Sequence, residues 1–526
     1  MRLMDSSVVK DLKFKDTARA KLIDGIDKLA NAVGSTLGPS GKCVLIEGDY
    51  GEPHITKDGV TVAKGILLHD PIENLGASLM KQAAGNTATR AGDGTTTSTV
   101  LTQAIIHAYE ASNGDQYSFR DIENGIEKHA EYITEQIEKK SLKLDDKRLE
   151  QVSIISSNGD KALGKLIADA FKAVGEDGVV TIEKSSGSET KVDVVDGTKI
   201  STTSVHPLFY TNQEKEISEL ENPLVFLSYS EIPNFMKIKD ICEYAIRQNR
   251  SLLIISSLDN QVTSALARNR MNGAIKVNVV EPPSFGLKRK DLLEDLALLL
   301  GAKVFDESLG DSIDSITIDM LGQADKVVSD IDGTVLVMEK KDEVQEKIED
   351  IKELIKEEEH PVLLNHLKQR LGLLNGGVSI IRVGGDTEIE MKEKLDRVDD
   401  AVSAVTAAKR EGILPGGGSA LAYWSMNSDF KGTPGEILGW NILNSAMKAP
   451  MAKIITNSGL DVKISTKLKW GQGIDAIDGK TKDMVKAGII DPAMVTKEAL
   501  NNAVSVALTV LSTDAVISNM RADEGH

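Results

Sequence analysis

A chain of 526 residues is too long for one hydrophobic core, so roughly two to four domains are expected. The apolar fraction of 41% suffices for ordinary globular interiors, and no apolar run approaches the about 18 residues that a membrane span needs. The net charge of -18, from 80 acidic and 62 basic side chains, argues against a nucleic-acid binder, which needs a basic face to neutralise phosphates.

Two cysteines, Cys43 and Cys242, are too few for a disulfide framework or a zinc site, which suits a reducing compartment. The eight histidines are scattered, and His360 and His366 lack the spacing of a zinc-protease helix. Met1 to Ala20 mixes acids with bases and has no apolar centre, unlike a signal or transit peptide. A cytoplasmic protein is expected.

In chain order, apolar residues from Ala20 to Val33 recur at helical spacing, predicting a helix over 17–37 that Gly38-Pro39-Ser40-Gly41 ends. Lys42–Glu47 reads as a strand and Asp49-Tyr50-Gly51 as a turn. Helices follow over 76–90, 96–112 and 118–140. The middle changes character: β-rich apolar runs at 192–195, 224–227, 252–255 and 275–280 alternate with helical stretches, predicting an α/β domain. Glu339–Leu374 reads as a charged, solvated helical hairpin bent at His360-Pro361. From about Asp396 the pattern returns to helices.

Two glycine clusters precede helical runs. Ala91-Gly92-Asp93-Gly94-Thr95-Thr96-Thr97 offers close backbone approach, hydroxyls and the free N–H groups of a first helical turn, which suits a phosphate. Asp93 would repel a bare phosphate, so its role there is to hold Mg²⁺; the same pattern also suits an ordinary capped helix. Leu414–Ala420, with Gly416-Gly417-Gly418, is a phosphate loop or a plain surface loop. Asp399-Asp400 is solvated surface charge, or else a carboxylate that takes a proton from an attacking water. Gly41-Lys42-Cys43 is not a Walker loop, because Cys43 stands where a magnesium-binding hydroxyl is required.

Taken together, Thr36-Leu37-Gly38-Pro39, Thr56-Lys57-Asp58-Gly59-Val60, Ala91–Thr97, Val398-Asp399-Asp400-Ala401, Gly416-Gly417-Gly418 and Gly488-Ile489-Ile490-Asp491-Pro492 resemble the motif series of the group I chaperonins, in order and near spacing, from about Val9 to Ser518. The resemblance implies a multidomain α+β, mostly helical chaperonin fold. Residues 1–139 and 411–526 would form a helical equatorial domain, 140–195 and 379–410 a small intermediate domain, and 196–378 an α/β apical domain. It implies an ATPase that assists protein folding inside rings of seven identical subunits, single or double, with ATP, Mg²⁺ and K⁺ as cofactors. Non-native client proteins would be its partners, and a lid co-chaperonin a further one, with neither nucleic acid nor membrane. A ring-forming holdase or scaffold with little coupled ATP turnover is the alternative.

Carried over by position, Thr36, Leu37, Gly38 and Pro39 would line the nucleotide, with Lys57 near the phosphates; the backbones of Thr36 and Lys57 would hold K⁺. Asp93 would bind Mg²⁺, with Gly94, Thr95, Thr96 and Thr97 around the phosphates, and Ile155 and Ser156 approaching the nucleotide. Gly417 and Asp491 would touch the ribose side, Ile454 and Ile489 would pack nearby, and Asp475 and Ala476 would lie on the adenine side. Asp400 and Asp58 would be the catalytic carboxylates, and Leu208 and Phe209 would line the client groove.

Several positions depart from the family pattern. Ile474 and Asp475 stand where the family has an aromatic and an amide. The helix expected over 234–249 has one apolar stripe, Ile238, Ile241, Cys242 and Ala245, and a charged opposite face; the helix over 260–273 sets Thr263, Ala267, Arg268 and Arg270 at or beside the groove. Ser204 and Thr202 replace an aromatic and an arginine, Asp115 replaces a small residue, and Ala522–His526 lacks the Gly-Gly-Met tail. A more polar groove, a narrower client set, less dependence on a lid and a divergent lineage, viral ones included, are expected.

Overall fold

The computed structural model describes residues 10–519, except 49, 50, 52, 113, 158, 176, 177, 186, 308–315, 332, 340, 341, 359, 463 and 465–467. Most of the Asp49–Gly51 turn and the 522–526 tail therefore lie outside the described residues. The chain divides into two compact units, residues 1–168 with 387–526, and residues 169–386.

Both ends of the chain build the first unit. Lys10–Phe14 pairs antiparallel with Ala515–Asn519, Lys10 opposite Asn519. Helices Lys15–Gly34, Pro71–Ala91, Thr95–Glu110 and Phe119–Lys140 share one core with Pro434–Ala446 and Ala493–Leu511. The helix Phe119–Lys140 shows why: Ile122, Ile126, Ala130, Ile133 and Ile137 fall on one stripe and are buried. It crosses Pro434–Ala446 closely enough that a side chain at Gly125 would overlap the carbonyl of Glu436, and one at Gly439 that of Ile122. Glycine at each crossing point lets the backbones touch. Helix ends differ from expectation by a few residues, since Asp70 with Pro71 starts one helix earlier than periodicity indicates. The strand expected from Lys42 begins at Val44.

In the second unit, strands Leu224–Ser228, Leu252–Ile255 and Val277–Val280 run parallel, and all their residues are buried. Helices Lys239–Arg247, Asn260–Met271 and Leu287–Leu300 alternate with them. A parallel sheet covered on both faces gives unbroken apolar runs, as the sequence has. A second, six-stranded mixed sheet follows the order Val179–Lys184, Gly377–Val383, Lys191–Ile200, Gly333–Val337, Lys326–Asp330, Ser218–Glu221.

Three expectations for this unit need correction. The charged hairpin, Asp342–Glu357 with Pro361–Asn375, is not simply solvated: Val344, Ile348 and Ile351 form a buried seam, and Arg370 clasps Asp295 with two bonds of 2.7 and 2.8 Å. The helix expected over 234–249 breaks into a short turn at Phe235–Lys237 and a helix at Lys239–Arg247, with Ile238 buried at the joint. Phe209 does not line a groove; it is fully buried in the core beside the parallel sheet, and Leu208 only packs against that core. Ala267 is likewise buried, and Arg270 donates to the carbonyls of Leu208 and Tyr210 at 2.8 and 2.7 Å. Among the described residues no helix is long and apolar enough to cross a membrane.

Candidate functional site

The helix Pro71–Ala91 stops because Gly92 takes a left-handed conformation, φ 70°, and Gly94 takes another, φ 90°, before Thr95 opens the next helix. Between them Asp93 sits at the free N–H end of Thr95–Glu110, its carboxylate accepting the N–H of Gly94. No side chain caps this helix. The turn is boxed in: a Cβ at Gly94 would stand 2.7 Å from Val495, and one at Gly59 2.5 Å from the hydroxyl of Thr96. Asp58 is thereby brought beside the same helical turn. Its carboxylate caps Gly59–Gly65, accepting the N–H of Val60 at 3.1 Å and of Thr61 at 2.7 Å. Thr95 is buried, Thr96 and Thr97 are half-buried, and the Lys57 side chain is exposed.

Asp400 lies on the helix Glu388–Glu411, which also carries Ser403. A side chain at Gly92 would overlap Ser403, so this helix rests on the Asp93 turn. Loss of solvent pushes the Asp400 carboxyl well above the usual carboxylate range, and Asp93, Asp58, Asp399 and Asp396 add to it. Desolvation also raises Asp93, with Asp58 adding to the effect and the Gly94 N–H opposing it. Among the described residues none of Asp58, Asp93 and Asp400 has an ion-pair partner. Three carboxylates held in mutual repulsion fit a bound cation. Among the described residues no three acidic, histidine or cysteine groups meet at ligand spacing, so these residues make no closed metal cage. The donor set suits Mg²⁺ held by one carboxylate, with the remaining ligands from elsewhere.

The second glycine cluster comes to the same place. Ile413–Pro415 pairs with Ile490–Pro492, setting Leu414 opposite Asp491. Asp491 accepts the N–H groups of Gly417 and Gly418, which have φ 66° and 70°. Burial pushes Asp491 up to about 6; those two N–H groups hold it down, and Asp93 pushes it up further. Ile489 packs 3.8 Å from the Cβ position of Gly417.

A third loop closes over Thr36–Pro39. Gly38 has φ 88°, and its Cβ position lies 3.0 Å from Ile454. The Thr36 hydroxyl donates back to the carbonyl of Val33 at 2.8 Å, and Pro39 is exposed. Sequence reasoning missed Asn457, whose amide donates to the carbonyls of Gly34 and Leu37 at 2.9 and 2.8 Å. Its signal was slight: an Asn just before Ser458-Gly459 at a helix end. On the remaining side, Ile474, Asp475 and Ala476 are buried, and Asp475 is paired with Lys482 at 2.6 Å. Ile155 and Ser156 end the helix Asp146–Ser156, which packs against Glu388–Glu411; Ile155 is exposed. The structure thus brings together Asp58, Asp93 to Thr97, Asp400, Gly417 and Asp491. A concave surface of about 800 Å³ between Phe119–Lys140 and Ala493–Leu511 is lined by Glu123, Glu127 and Glu131 and involves none of them.

Residues 29–521 match the model of the TCP-1/cpn60 chaperonin family. Two crystal structures of the chaperonin gp146 from the bacteriophage EL 2 (Pseudomonas aeruginosa), obtained in the presence of ATP-BeFx, share the fold. Crystal form II is 22% identical with a TM-score of 0.71, covering 97% of this chain and 99% of that one. Crystal form I is 21% identical with a TM-score of 0.63 over the same shares. A match across nearly the whole length, on a fold built from both chain ends, establishes that this chain belongs to the TCP-1/cpn60 chaperonin family.

Proposed function

We propose that the protein is an ATP-hydrolysing chaperonin subunit that assembles into seven-membered rings in the cytoplasm and assists the folding of client proteins. The observation that carries this reading is the meeting of Asp93, Asp58 and Asp400 at the open N-terminus of Thr95–Glu110, where loss of solvent and then the charges of Asp93 and Asp58 raise the pKa of Asp400. A helix N-terminus with threonine hydroxyls receives a phosphate, and the carboxylates suit the cation that accompanies a triphosphate. Mg²⁺, when bound, would neutralise phosphate charge, and K⁺ at the Thr36 and Lys57 backbones would add to that. Asp93 is the residue that would hold the Mg²⁺.

Asp400, with its raised pKa, is suited to accept a proton from the attacking water at a carboxylate oxygen. Asp58 has one lone pair of each oxygen engaged by an N–H, so its part is to orient that water from a fixed position. Thr36 to Pro39, Ile454, Gly417, Ile489 and Asp491 would form the walls around the sugar, with Asp475 and Ala476 on the base side. Ile155 and Ser156 would approach from the segment 140–195, which with 379–410 would serve as the moving intermediate part. Exposed Leu12, Phe14 and Ile517 on one small sheet, and Leu45 and Ile55 on the Val44–Thr56 hairpin, support assembly with further copies.

The second unit favours a polar client surface. On Lys239–Arg247 the outer face carries an ion-pair ladder, Lys239 to Glu243 at 3.5 Å and Glu243 to Arg247 at 2.9 Å, beside exposed Ile246, while Ile241, Cys242 and Ala245 are core. That ladder supports a narrow client range, and it is the observation in favour of the second reading, a ring-forming holdase with little ATP turnover. ATPase rate and refolding yield, each with and without an unfolded client, separate the two: stimulation together with refolding belongs to the chamber alone. A protein that is monomeric and indifferent to nucleotide would end both.

A further inference from the structure

Strands Gln472–Ile474 and Thr481–Asp483 form a hairpin in which Gly473 stands directly opposite Lys482. Directly opposed residues project from the same face. On that face Gly473 lies against Ser419 and Met484, 2.7 and 2.8 Å from its Cβ position, and Met484 reaches to 3.3 Å from that of Gly417. Lys482, and Asp475 two residues beyond Gly473, therefore project toward the glycine loop that Asp491 holds.

The two side chains differ in what they have left to offer. Asp475, 7% exposed, accepts the N–H of Ile477 on one oxygen at 2.9 Å and the Lys482 ammonium on the other at 2.6 Å. Lys482 gives a second N–H to Asp478 at 2.9 Å, and its side chain remains 36% exposed. An ammonium has three donors and no acceptor. Two are held by carboxylates, so the third is a fixed donor with solvent access.

We infer that Lys482 reads the base in the nucleotide site and makes that site tolerant of 6-oxopurines. Its free N–H donates to O6 of guanine or hypoxanthine as readily as to a ring nitrogen of adenine. Selection of a 6-amino group requires an acceptor, and each Asp475 oxygen already accepts one N–H, so what acceptor capacity it keeps stands beside the Lys482 donor and does not exclude a 6-oxo group. This inference rests on the nucleotide reading above.

The test is calorimetric titration of the full-length protein with ATP, GTP and ITP in Mg²⁺. GTP and ITP are expected to bind within about tenfold of ATP. Lys482→Met should weaken GTP and ITP relative to ATP by about tenfold, the scale of one net hydrogen bond, and Lys482→Arg should keep the wild-type ratio. ITP following GTP would assign the effect to O6 and not to the 2-amino group. Tight ATP binding with GTP and ITP weaker by more than a hundredfold in the wild-type protein overturns the inference alone, and needs no variant to fold. An unchanged ratio in a folded Lys482→Met protein removes Lys482 from base reading. No binding of any of the three overturns the nucleotide reading itself.

Discussion

A side chain on Gly92 would overlap Ser403, so the turn that carries Asp93 lies in direct contact with the helix that carries Asp400. Contact of this kind makes the spacing of the two carboxylates a property of packing, and the first prediction follows from it. Gly92→Ala should destabilise the protein by about 1–3 kcal/mol, from a left-handed residue given a Cβ and from overpacking. Gly92→Ala with Ser403→Gly should recover part of that loss. Urea unfolding of the three proteins decides the matter, and equal stabilities for single and double variants would break the proposed contact.

Asp400→Ala should slow ATP turnover by roughly a hundredfold, the usual scale for a general base, while ATP affinity stays near wild type. Asp400→Asn should at the same time raise the melting temperature of the nucleotide-free protein at neutral pH. Desolvation and Asp93 hold the Asp400 pKa well above that of an unfolded carboxylate, so its ionisation costs stability as pH rises above the ordinary carboxylate range. Differential scanning fluorimetry beside a steady-state ATPase assay reads both effects; a variant with normal turnover removes Asp400 from the chemistry.

Asp93→Ala should abolish the magnesium dependence of nucleotide binding. Calorimetry with and without Mg²⁺ is the measurement, and undiminished Mg²⁺-dependent affinity would exclude Asp93 as the cation ligand.

His129 supplies a pH dependence of opposite sign, away from the site. Its ring is fully buried, stacked on Trp440 at 3.8 Å between centroids, and Nδ1 donates to the Trp440 carbonyl at 3.0 Å. Burial lowers its pKa to about 4, and the Trp440 carbonyl opposes this. The folded protein thus favours the neutral ring, and stability present above the ordinary histidine value near 6.5 is lost as pH falls toward about 4. The loss should reach about 3 kcal/mol. Unfolding free energies from pH 7 to 4 should show a shallower acid limb in His129→Phe than in wild type; parallel limbs would refute it.

Much of the fold was legible because local rules wrote it. The stripe from Ile122 to Ile137 and the buried runs at 224–228 and 252–255 announce their elements by period alone. Phe209 misled because an apolar residue beside a polar turn looks the same whether it faces a groove or a core. Asn457 and Lys482 were hidden because their partners, Gly34 with Leu37 and Asp475 with Asp478, lie across loops whose closure no local pattern encodes.

By itself the sequence determined the chemistry available: glycines that admit left-handed turns at 92, 94, 417 and 418, threonines at a helix start, and carboxylates at 58, 93, 400 and 491. Only the tertiary structure decided that burial and the charges of Asp93 and Asp58 raise the pKa of Asp400, and that Asp475 is already paired. Backbone conformation depends on neighbours in the chain, whereas charge–charge energy depends on distance through space and on lost solvent. Helices from both chain ends had to share one core before that distance existed.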